Sequence, residues 1–219
     1  MAVLSAEEAR VLGSLIEKQL TTPQQYPLSL NALVLACNQA SNRQPVVDYA
    51  DAAVAEALDR LKEQRLVRFV LPSHGRSVTR YRHVADETLG LDSRQLSLLA
   101  VLLLRGPQTV GELRSRTDRM ATFDDLGQVE HDLRTLAALE EPLVDRLPRL
   151  PGQKEERWRQ VLADEAAPET PPAGGRWAEA AGGDAGGGLR TVREEVAALR
   201  RELEEVRAAV ADLRASLGG

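Results

Sequence analysis

The sequence predicts a mainly α-helical protein with small β-hairpins. Hydrophobic residues make up 43% of the chain but aromatic residues only 3%, which favours aliphatic packing between helices. Apolar residues recur at helical spacing over most of the first 140 positions, and two strand-like stretches each follow a group of helical stretches. These observations together indicate two small helical units, each ending in a hairpin.

The first half contains three predicted helices followed by two strands. Ser5 with Glu8 three residues later forms a capping-box pattern at the start of the first helix. A second, short helix is expected from about Ser29 to Asn38, and a third begins near Asp48 to Asp51. Two strands joined by the turn residues PSHGRS then follow, LVRFVL and VTRYRHV. Three helices followed by a hairpin is the order of a winged helix.

The same unit recurs in the second half of the chain. Three helix residues have counterparts 75 positions later, and the hairpin residues have counterparts 77 positions later, after a two-residue insertion. The matched sets are Val54, Leu58 and Leu61 with Val129, Leu133 and Leu136, and Leu66-Val67, Gly75 and Arg80-Tyr81 with Leu143-Val144, Gly152 and Arg157-Trp158. A second capping box, Asp92 with Gln95, opens this copy. The sequence therefore predicts two tandem winged-helix domains, residues 1–90 and 91–163.

The C-terminal tail divides into two segments of different composition. Residues 164–188 are rich in Ala, Pro, Gly and acids, which predicts a disordered linker. Residues 189–219 carry apolar side chains at alternating steps of three and four: Leu189, Val192, Val196, Leu199, Leu203, Val206, Val210, Leu213 and Leu217. Unbroken heptads of this kind indicate a coiled coil, and the Glu and Arg residues at its g and e positions favour a parallel homodimer. A charged helix lying on its own domain is the alternative.

Three long strings identify a family. LGSLIEKQLTTPQQYPLSLNALVLACNQASNRQPV, LRGPQTVGELRSRT and LPRLPGQKE occur in order between about residues 4 and 162. They closely resemble the YceH-like family of bacterial proteins of unknown function. This resemblance implies a tandem winged-helix fold, but it implies no activity and no binding residues, and it does not extend to the tail.

The residues do not indicate catalytic or metal chemistry. His74, His83 and His131 lack metal-ligand spacing, and no glycine-rich phosphate motif is present. The single cysteine, Cys37, lies in an apolar helical stretch where a buried thiol is expected. We therefore expect a non-enzymatic protein with no catalytic residues, no metal and no cofactor.

Charge and hydropathy limit the partners of the protein. The net charge is −5, and residues 164–219 account for most of it with 7 basic and 11 acidic side chains. The chain as a whole therefore does not attract nucleic acid. No apolar run approaches the roughly 20 residues of a membrane span, and the start of the chain lacks a signal-peptide pattern. We expect a soluble, cytoplasmic protein without membrane contact.

Two non-enzymatic functions remain, and DNA binding is slightly favoured. The first predicted hairpin has five arginines and no acid between positions 64 and 85, and polar side chains precede the third helix. Such side chains contact phosphates or read base edges. The candidate residues are Asn42, Arg43, Gln44, Arg65, Arg68, Arg76, Arg80 and Arg82. A structural reading, in which Asn and Ser cap helices and build turns, is equally compatible with the polar residues.

The alternative function is that of a protein-protein adaptor. The helix after these polar residues, which would read the major groove, carries Asp48, Asp51 and Glu56 in its early turns. The second copy has Asp124, Asp125, Glu130 and Asp132 in the corresponding region. Phosphate repels these acids, so the helices suit a protein partner better than DNA. The helix dipole also favours acids at a helix N-terminus, so a structural role of these acids is the alternative.

Overall fold

The computed structural model describes residues 3–71, 78–149, 152 and 155–163. This part of the chain is mainly helical and contains two small antiparallel sheets, as the sequence predicts. The predicted linker at 164–188, the predicted coiled coil at 189–219 and the hairpin turn at 72–77 lie outside the described residues.

The first half follows the predicted order of three helices and a hairpin. Its main elements are α1 (Ala6–Thr21), α2 (Leu30–Cys37), α3 (Asp51–Glu63), β2 (Val67–Val70) and β3 (Arg80–His83). Three short elements were not expected from the sequence: a 3-10 helix (Pro23–Gln25), β1 (Leu28–Ser29) and α4 (Ala85–Leu89). β1 pairs with β3, which also pairs with β2, so the sheet has three strands in the order β1-β3-β2.

The second half repeats this order. Its elements are α5 (Ser93–Arg105), α6 (Val110–Thr117), α7 (Leu126–Ala137), β4 (Val144–Leu147) and β5 (Arg157–Gln160). β4 and β5 form an antiparallel pair. An isolated bridge between Gln108 and Trp158 adds a third segment to this sheet, in the position that β1 has in the first sheet.

The predicted capping boxes fix the starts of α1 and α5. The Glu8 amide donates to Ser5 Oγ at 3.2 Å, and the Ser5 amide donates to the Glu8 carboxylate at 2.8 Å. Asp92 and Gln95 make the equivalent reciprocal bonds at 2.9 and 3.1 Å. Each box satisfies two amides that a helix start otherwise leaves without partners, so both sequence predictions are confirmed.

The repeated Arg-aromatic pair has the same role in both halves. Arg80 donates to the carbonyl of Pro27 at 2.8 Å, and Arg157 donates to the carbonyl of Pro107 at 2.9 Å. The aromatic residue after each arginine lies opposite the residue after each proline: Tyr81 opposite Leu28, and Trp158 opposite Gln108. The pair therefore ties each hairpin to the segment that leads into the second helix of its half.

The two halves share one hydrophobic core. Helices α1 and α5 pack closely at Gly13, where an added Cβ would lie 3.0 Å from both Leu103 Cβ and Leu104 Cγ. The beginning of the described chain also meets its end, because the Leu4 amide donates to the carbonyl of Leu162 at 2.7 Å. Buried aliphatic residues from both halves are thus continuous across the α1–α5 contact.

Cys37 is fully buried in this core, as its apolar setting predicts. Burial raises the pKa of its thiol above the ordinary value. A thiol that is both inaccessible and protonated is a poor nucleophile, which fits a packing role.

Candidate nucleic-acid interface

The first sheet presents a basic side to solvent. Side chains alternate between the two sides of a strand, so Arg68 and Val70 of β2 share a side with Arg80 and Arg82 of β3. We call these four residues the outer sheet face. On the opposite side, Phe69 and Tyr81 form an edge-to-face pair with ring centroids 4.9 Å apart. This aromatic pair packs against the core, which leaves the arginines on the exposed side.

Arg68 and Arg82 are directly opposite each other across the two strands. Two like charges in this position are destabilising unless an acid compensates them. Glu87 of α4 supplies that acid, with carboxylate oxygens 3.0 Å from the Arg68 guanidinium and 3.3 Å from that of Arg82. One carboxylate thus holds two arginines side by side. The arginine side chains remain 58% and 34% exposed.

The equivalent position in the second sheet has a different charge pattern. An offset of 77 relates Arg68 to Asp145 and Arg82 to Arg159, and these two residues are also directly opposite each other. They form an ion pair at 3.1 Å. The second hairpin therefore carries a neutral pair where the first carries two arginines.

Other arginines of the second hairpin are also paired with acids. Arg157 lies 3.4 Å from Glu112, and Arg146 forms an ion pair with Glu156. The outer sheet face of the first half has three arginines and one paired acid, Glu87, whereas Arg157 and Arg159 of the repeat are each paired with an acid, Glu112 and Asp145.

The remaining predicted arginines of the first hairpin fall into different environments. Arg80 is exposed but uses one guanidinium N–H to hold Pro27, so it has a structural contact in addition to any surface role. Arg65 is exposed in the turn between α3 and β2, where its φ of 61° is left-handed. Arg76 lies outside the described residues.

Arg43 is buried rather than exposed. Its side chain is 0% accessible and pairs with Glu17 of α1 through Nη2–Oε2 and Nη1–Oε1 distances of 2.6 and 3.1 Å. The same guanidinium donates to the carbonyl of Ala36 from Nε at 3.0 Å and from Nη2 at 2.9 Å. To read a base, Arg43 would have to leave all of these partners. The geometry therefore assigns it to the packing of the loop against α1 and α2.

Asn42 and Gln44, the other two candidates in this loop, are exposed. Asn42 has a left-handed φ of 61°, and its side-chain oxygen accepts a hydrogen bond from Arg105 at the end of α5. The Gln44 amide donates to the carbonyl of Leu104 at 2.8 Å. Both residues therefore attach the loop to α5, while the Gln44 side chain stays at the surface.

The polar residue at the C-terminal end of α2 closes the same loop. The Asn38 side-chain oxygen accepts from the Tyr49 amide at 2.8 Å, and its Nδ2 donates to the Tyr49 carbonyl at 2.9 Å. These two bonds span 11 residues and imitate a backbone pair. The amide side chain here builds the turn, in agreement with the structural reading of the sequence.

The predicted acids of the third helix in each half are only partly on the surface. Asp51 and Glu56 of α3 are exposed, as expected, and Asp48 is exposed in the loop before α3 rather than in its first turns. Asp132 of α7, however, is only 3% exposed and pairs with Arg94 of α5 at 3.1 Å. The expectation that Asp132 would face a partner is wrong, because the side chain turns toward the core.

A buried histidine lies at the base of the first sheet. His83 is 1% exposed, and its amide donates to the hydroxyl of Tyr26 at 2.6 Å. Its Nδ1 accepts from the Ala85 amide at 3.3 Å and lies 3.7 Å from Asp86. Burial lowers the pKa of His83 from 6.5 to about 4, against the opposing effect of Asp86. The imidazole is therefore neutral at neutral pH.

His83 is expected to make the folded state sensitive to mild acid. Between pH 6.5 and about 4 the unfolded chain binds a proton that the folded chain does not, so the free energy of unfolding falls as pH decreases. The full effect is about 3 kcal/mol. Urea unfolding from pH 7.5 to 4 should show this loss in the wild type and a smaller loss in His83→Gln. The exposed His131→Gln variant should behave like the wild type, and equal slopes in all three proteins would contradict the assignment.

Two further classes of site are absent from the described part of the chain. Residues 3–71, 78–149, 152 and 155–163 contain no group of three or more His, Cys, Asp or Glu side chains placed to hold a metal ion. None of the described helices is both long enough and apolar enough to cross a membrane.

Residues 4–153 match the family described as "Protein of unknown function, DUF480". The chain belongs to the DUF480 family. The resemblance to a bacterial family of unknown function, inferred from three sequence strings, is thereby confirmed.

Several relatives carry the name "UPF0502 protein". The protein from Geotalea daltonii is 54% identical over 172 residues, which cover 77% of this chain and 78% of the relative. The protein from Opitutus terrae is 48% identical over 180 residues, 78% of each chain. The protein from Pelobacter propionicus is 46% identical over 216 residues, 97% of each chain. The similarity to this last relative thus extends into the tail, beyond the region matched by the DUF480 family.

Sequence reasoning missed Glu87, the acid of the candidate interface. Glu87 lies two residues beyond the acid-free segment that ends at Ala85, and the short helix α4 returns it to the strands. A wider window would have included Glu87 in the charge count. Its position between Arg68 and Arg82 depends on a turn that the sequence did not reveal.

Proposed function

We propose that this DUF480 protein is non-enzymatic, consists of two tandem winged-helix units, and binds duplex DNA through the outer sheet face of the first. The order of three helices and a hairpin in each half supports the winged-helix assignment. The equivalent hydrogen bonds of Arg80 and Arg157 support a common plan for both units. A hairpin rich in arginine can contact phosphates or enter the minor groove of a duplex.

The observation that carries the DNA proposal is the cross-strand arginine pair. Arg68 and Arg82 share a single carboxylate, so the pair keeps a net positive charge next to exposed Arg80. Each guanidinium has five N–H donors, and Glu87 engages only some of them. Two adjacent, partly solvated guanidinium groups suit the phosphates of a DNA backbone.

The contacts in this proposal are with the backbone rather than with bases. Arg43 is buried, so it cannot supply a base contact from its observed position. The exposed acids Asp51, Glu56 and Asp59 make α3 unsuitable for deep insertion into the major groove. We therefore expect binding with little sequence preference and strong salt dependence.

A salt series with matched variants tests this proposal. Fluorescence anisotropy with random-sequence duplex DNA, at about 50–200 mM salt, measures the slope of log K against log salt. Removing two phosphate contacts in Arg68→Gln/Arg82→Gln should reduce that slope by about 1.8. Arg159→Gln, at the position equivalent to Arg82, should leave it unchanged. Glu87→Gln should tighten binding, because it removes the carboxylate that pairs with both Arg68 and Arg82.

The proposal is contradicted if wild-type protein shows no binding to duplex DNA at about 50 mM salt, where phosphate-driven binding is strong. A slope that falls equally in Arg159→Gln would also contradict it, because the effect would then reflect general charge. Either result would favour the adaptor function.

The adaptor function is the second candidate, and one surface favours it. Leu35 of α2 is 64% exposed and Val46 of the following loop is 60% exposed, in the same half as the exposed acids of α3. Apolar side chains together with acids suit a protein partner with a basic rim. In that case Asp51→Asn and Glu56→Gln should weaken capture of the partner while leaving the fold intact.

We also propose that the chain forms a parallel homodimer through its predicted coiled coil at residues 189–217. The support is the heptad pattern with its Glu–Arg pairs at g and e positions. Sedimentation of the full chain at micromolar concentration should give the mass of a dimer. Leu203→Glu, at an a position, should shift it to a monomer, whereas Ala208→Glu, at an outer f position, should not. A monomeric wild type would refute the dimer.

A further inference from the structure

A groove of about 390 Å³ lies on the side of the molecule where both ends of the described chain meet. Its walls are formed by the start of α1, the loop before α3, the end of α5 and the segment that follows β5. Much of the lining is apolar and includes Ala9, Pro45, Leu102 and Pro107. The groove is distinct from the outer sheet face, and Arg65, Arg68, Arg80 and Arg82, the described arginines of the first hairpin, are not among its lining residues.

Two arginines give this apolar groove a positive charge. Arg10 is only 4% exposed, and its guanidinium donates to the carbonyls of Cys37 at 3.0 Å and Pro45 at 2.6 Å. Within the described residues it has no ion pair with a carboxylate. Water solvates this guanidinium poorly because the side chain is buried, and this burial lowers the pKa of Arg10. A buried cation with only neutral partners is stabilised when an anion approaches.

Arg105 is the second cation of the groove. Its guanidinium donates to the side-chain oxygen of Asn42, and burial together with the nearby Arg116 lowers its pKa. The carboxylates that act on it, Glu17 and Glu112, are already paired with other arginines at 2.6 and 3.6 Å. The groove therefore combines an apolar lining with two cations whose charge is not matched.

The chain itself supplies a segment of complementary chemistry. Ala163 lines the groove and is the last described residue before the tail. The six residues that follow it, DEAAPE, carry three carboxylates, at Asp164, Glu165 and Glu169, and the first basic residue after them is Arg176. Their remaining side chains are Ala and Pro, which suit an apolar lining. An extended chain of six residues reaches roughly 20 Å, enough to follow a groove of this size.

We propose that residues 164–169 bind in this groove of the same molecule, with their carboxylates directed at Arg10 and Arg105. The attachment at Ala163 removes most of the entropic cost of association, since the segment is held next to its site at millimolar effective concentration. Residues 164–169 contain only Ala, Pro and acids, which cannot form a core of their own but can bind along a preformed surface.

Arginine side-chain NMR of the full chain tests the proposal. The Nε–Hε signals of Arg10 and Arg105, assigned with Arg10→Lys and Arg105→Lys, report directly on the groove. Asp164→Asn/Glu165→Gln/Glu169→Gln should shift both signals and speed solvent exchange of the Arg10 Hε about tenfold. The matched variant Glu179→Gln/Asp184→Asn/Glu194→Gln removes three acids farther along the tail and should leave both signals unchanged. Unchanged signals in the first variant, or equal shifts in both, would overturn the proposal.

A mixing experiment distinguishes the chain's own tail from that of a second copy. The isotope-labelled 164/165/169 variant is combined with increasing unlabelled wild-type protein. Signals that remain shifted support binding within one molecule. Recovery of the wild-type signals as wild-type protein is added would show that a second copy fills the groove, which would overturn the assignment. A synthetic DEAAPETPPA peptide at millimolar concentration should restore the signals in the variant, and failure to do so would count against the groove as the site.

Discussion

Replacing Arg43 with Ala is expected to lower the free energy of unfolding by about 3–5 kcal/mol, although sequence analysis placed this residue at a DNA surface. The substitution leaves the Glu17 carboxylate, which is 12% exposed, without its bidentate partner. It also removes the two donors to the Ala36 carbonyl, at 3.0 and 2.9 Å. Urea unfolding followed by circular dichroism measures the change.

Two comparisons isolate the buried pair as the cause. Arg65→Ala removes an exposed arginine from the turn between α3 and β2 and should change stability by less than about 0.5 kcal/mol. In a double-mutant cycle, Glu17→Gln combined with Arg43→Ala should cost clearly less than the sum of the single changes, because the second change no longer leaves a charge unpaired. A loss below about 1 kcal/mol in Arg43→Ala would show that the pair is solvated rather than buried.

The buried contacts of Arg43 show a structural use of the polar stretch after α2. Asn, Gln, Ser and Arg are the side chains that read bases, but they are also the side chains that satisfy backbone groups in an irregular loop. Here Asn38 pairs with the backbone of Tyr49, and Arg43 pairs with Glu17 and the backbone of Ala36. Composition alone cannot distinguish base readout from loop building, because the outcome depends on which backbone and side-chain groups the fold places next to each polar residue. The two exposed residues, Asn42 and Gln44, are the ones that remain available to a ligand.

The elements that the sequence predicted well are those set by local chemistry. The capping boxes at Ser5 and Asp92 determine helix starts through neighbours three residues away, and both are present in the structure. The repeated Arg-aromatic pair was recognisable because it recurs together with a turn glycine 77 positions later, and both copies make the same contact with a proline carbonyl. Features that depend on residues close together in the sequence, or that are repeated in both halves of the chain, could therefore be predicted from the sequence.

The features that the sequence did not predict depend on contacts between distant segments. The two-residue strand β1 is too short to show a period, and it exists because Leu28 and Ser29 pair with β3 some 50 residues later. Burial of Asp132 follows from Arg94 of α5, 38 positions earlier. Glu87 joins Arg68 and Arg82 only after the chain has turned back through α4. Each of these features depends on a contact with a residue in another element of the fold, which the neighbouring sequence does not reveal.

The second large effect is expected from Trp158→Ala, which should lower the free energy of unfolding by about 3–5 kcal/mol. Trp158 is 4% exposed, lies in β5 opposite Arg146, and exchanges two backbone hydrogen bonds with Gln108 at 2.9 and 2.7 Å. Truncation leaves a cavity beneath the second hairpin. Tyr81→Ala, at the equivalent position of the first sheet, removes a smaller and more exposed ring and should cost less.

The Trp158→Ala variant also tests whether the two halves unfold together. Leucines of α5 pack at Gly13 of α1, and Leu4 bonds to Leu162, so loss of the second half exposes buried aliphatic surface of the first. Hydrogen exchange should therefore show reduced protection of amides in α1 and α3 as well as in α5 and α7, by a similar factor. If α1 and α3 kept wild-type protection while the second half lost it, residues 3–71 and 78–90 would fold without the second half. The α1–α5 contact would then be a docking surface between two independent units rather than a part of one cooperative core.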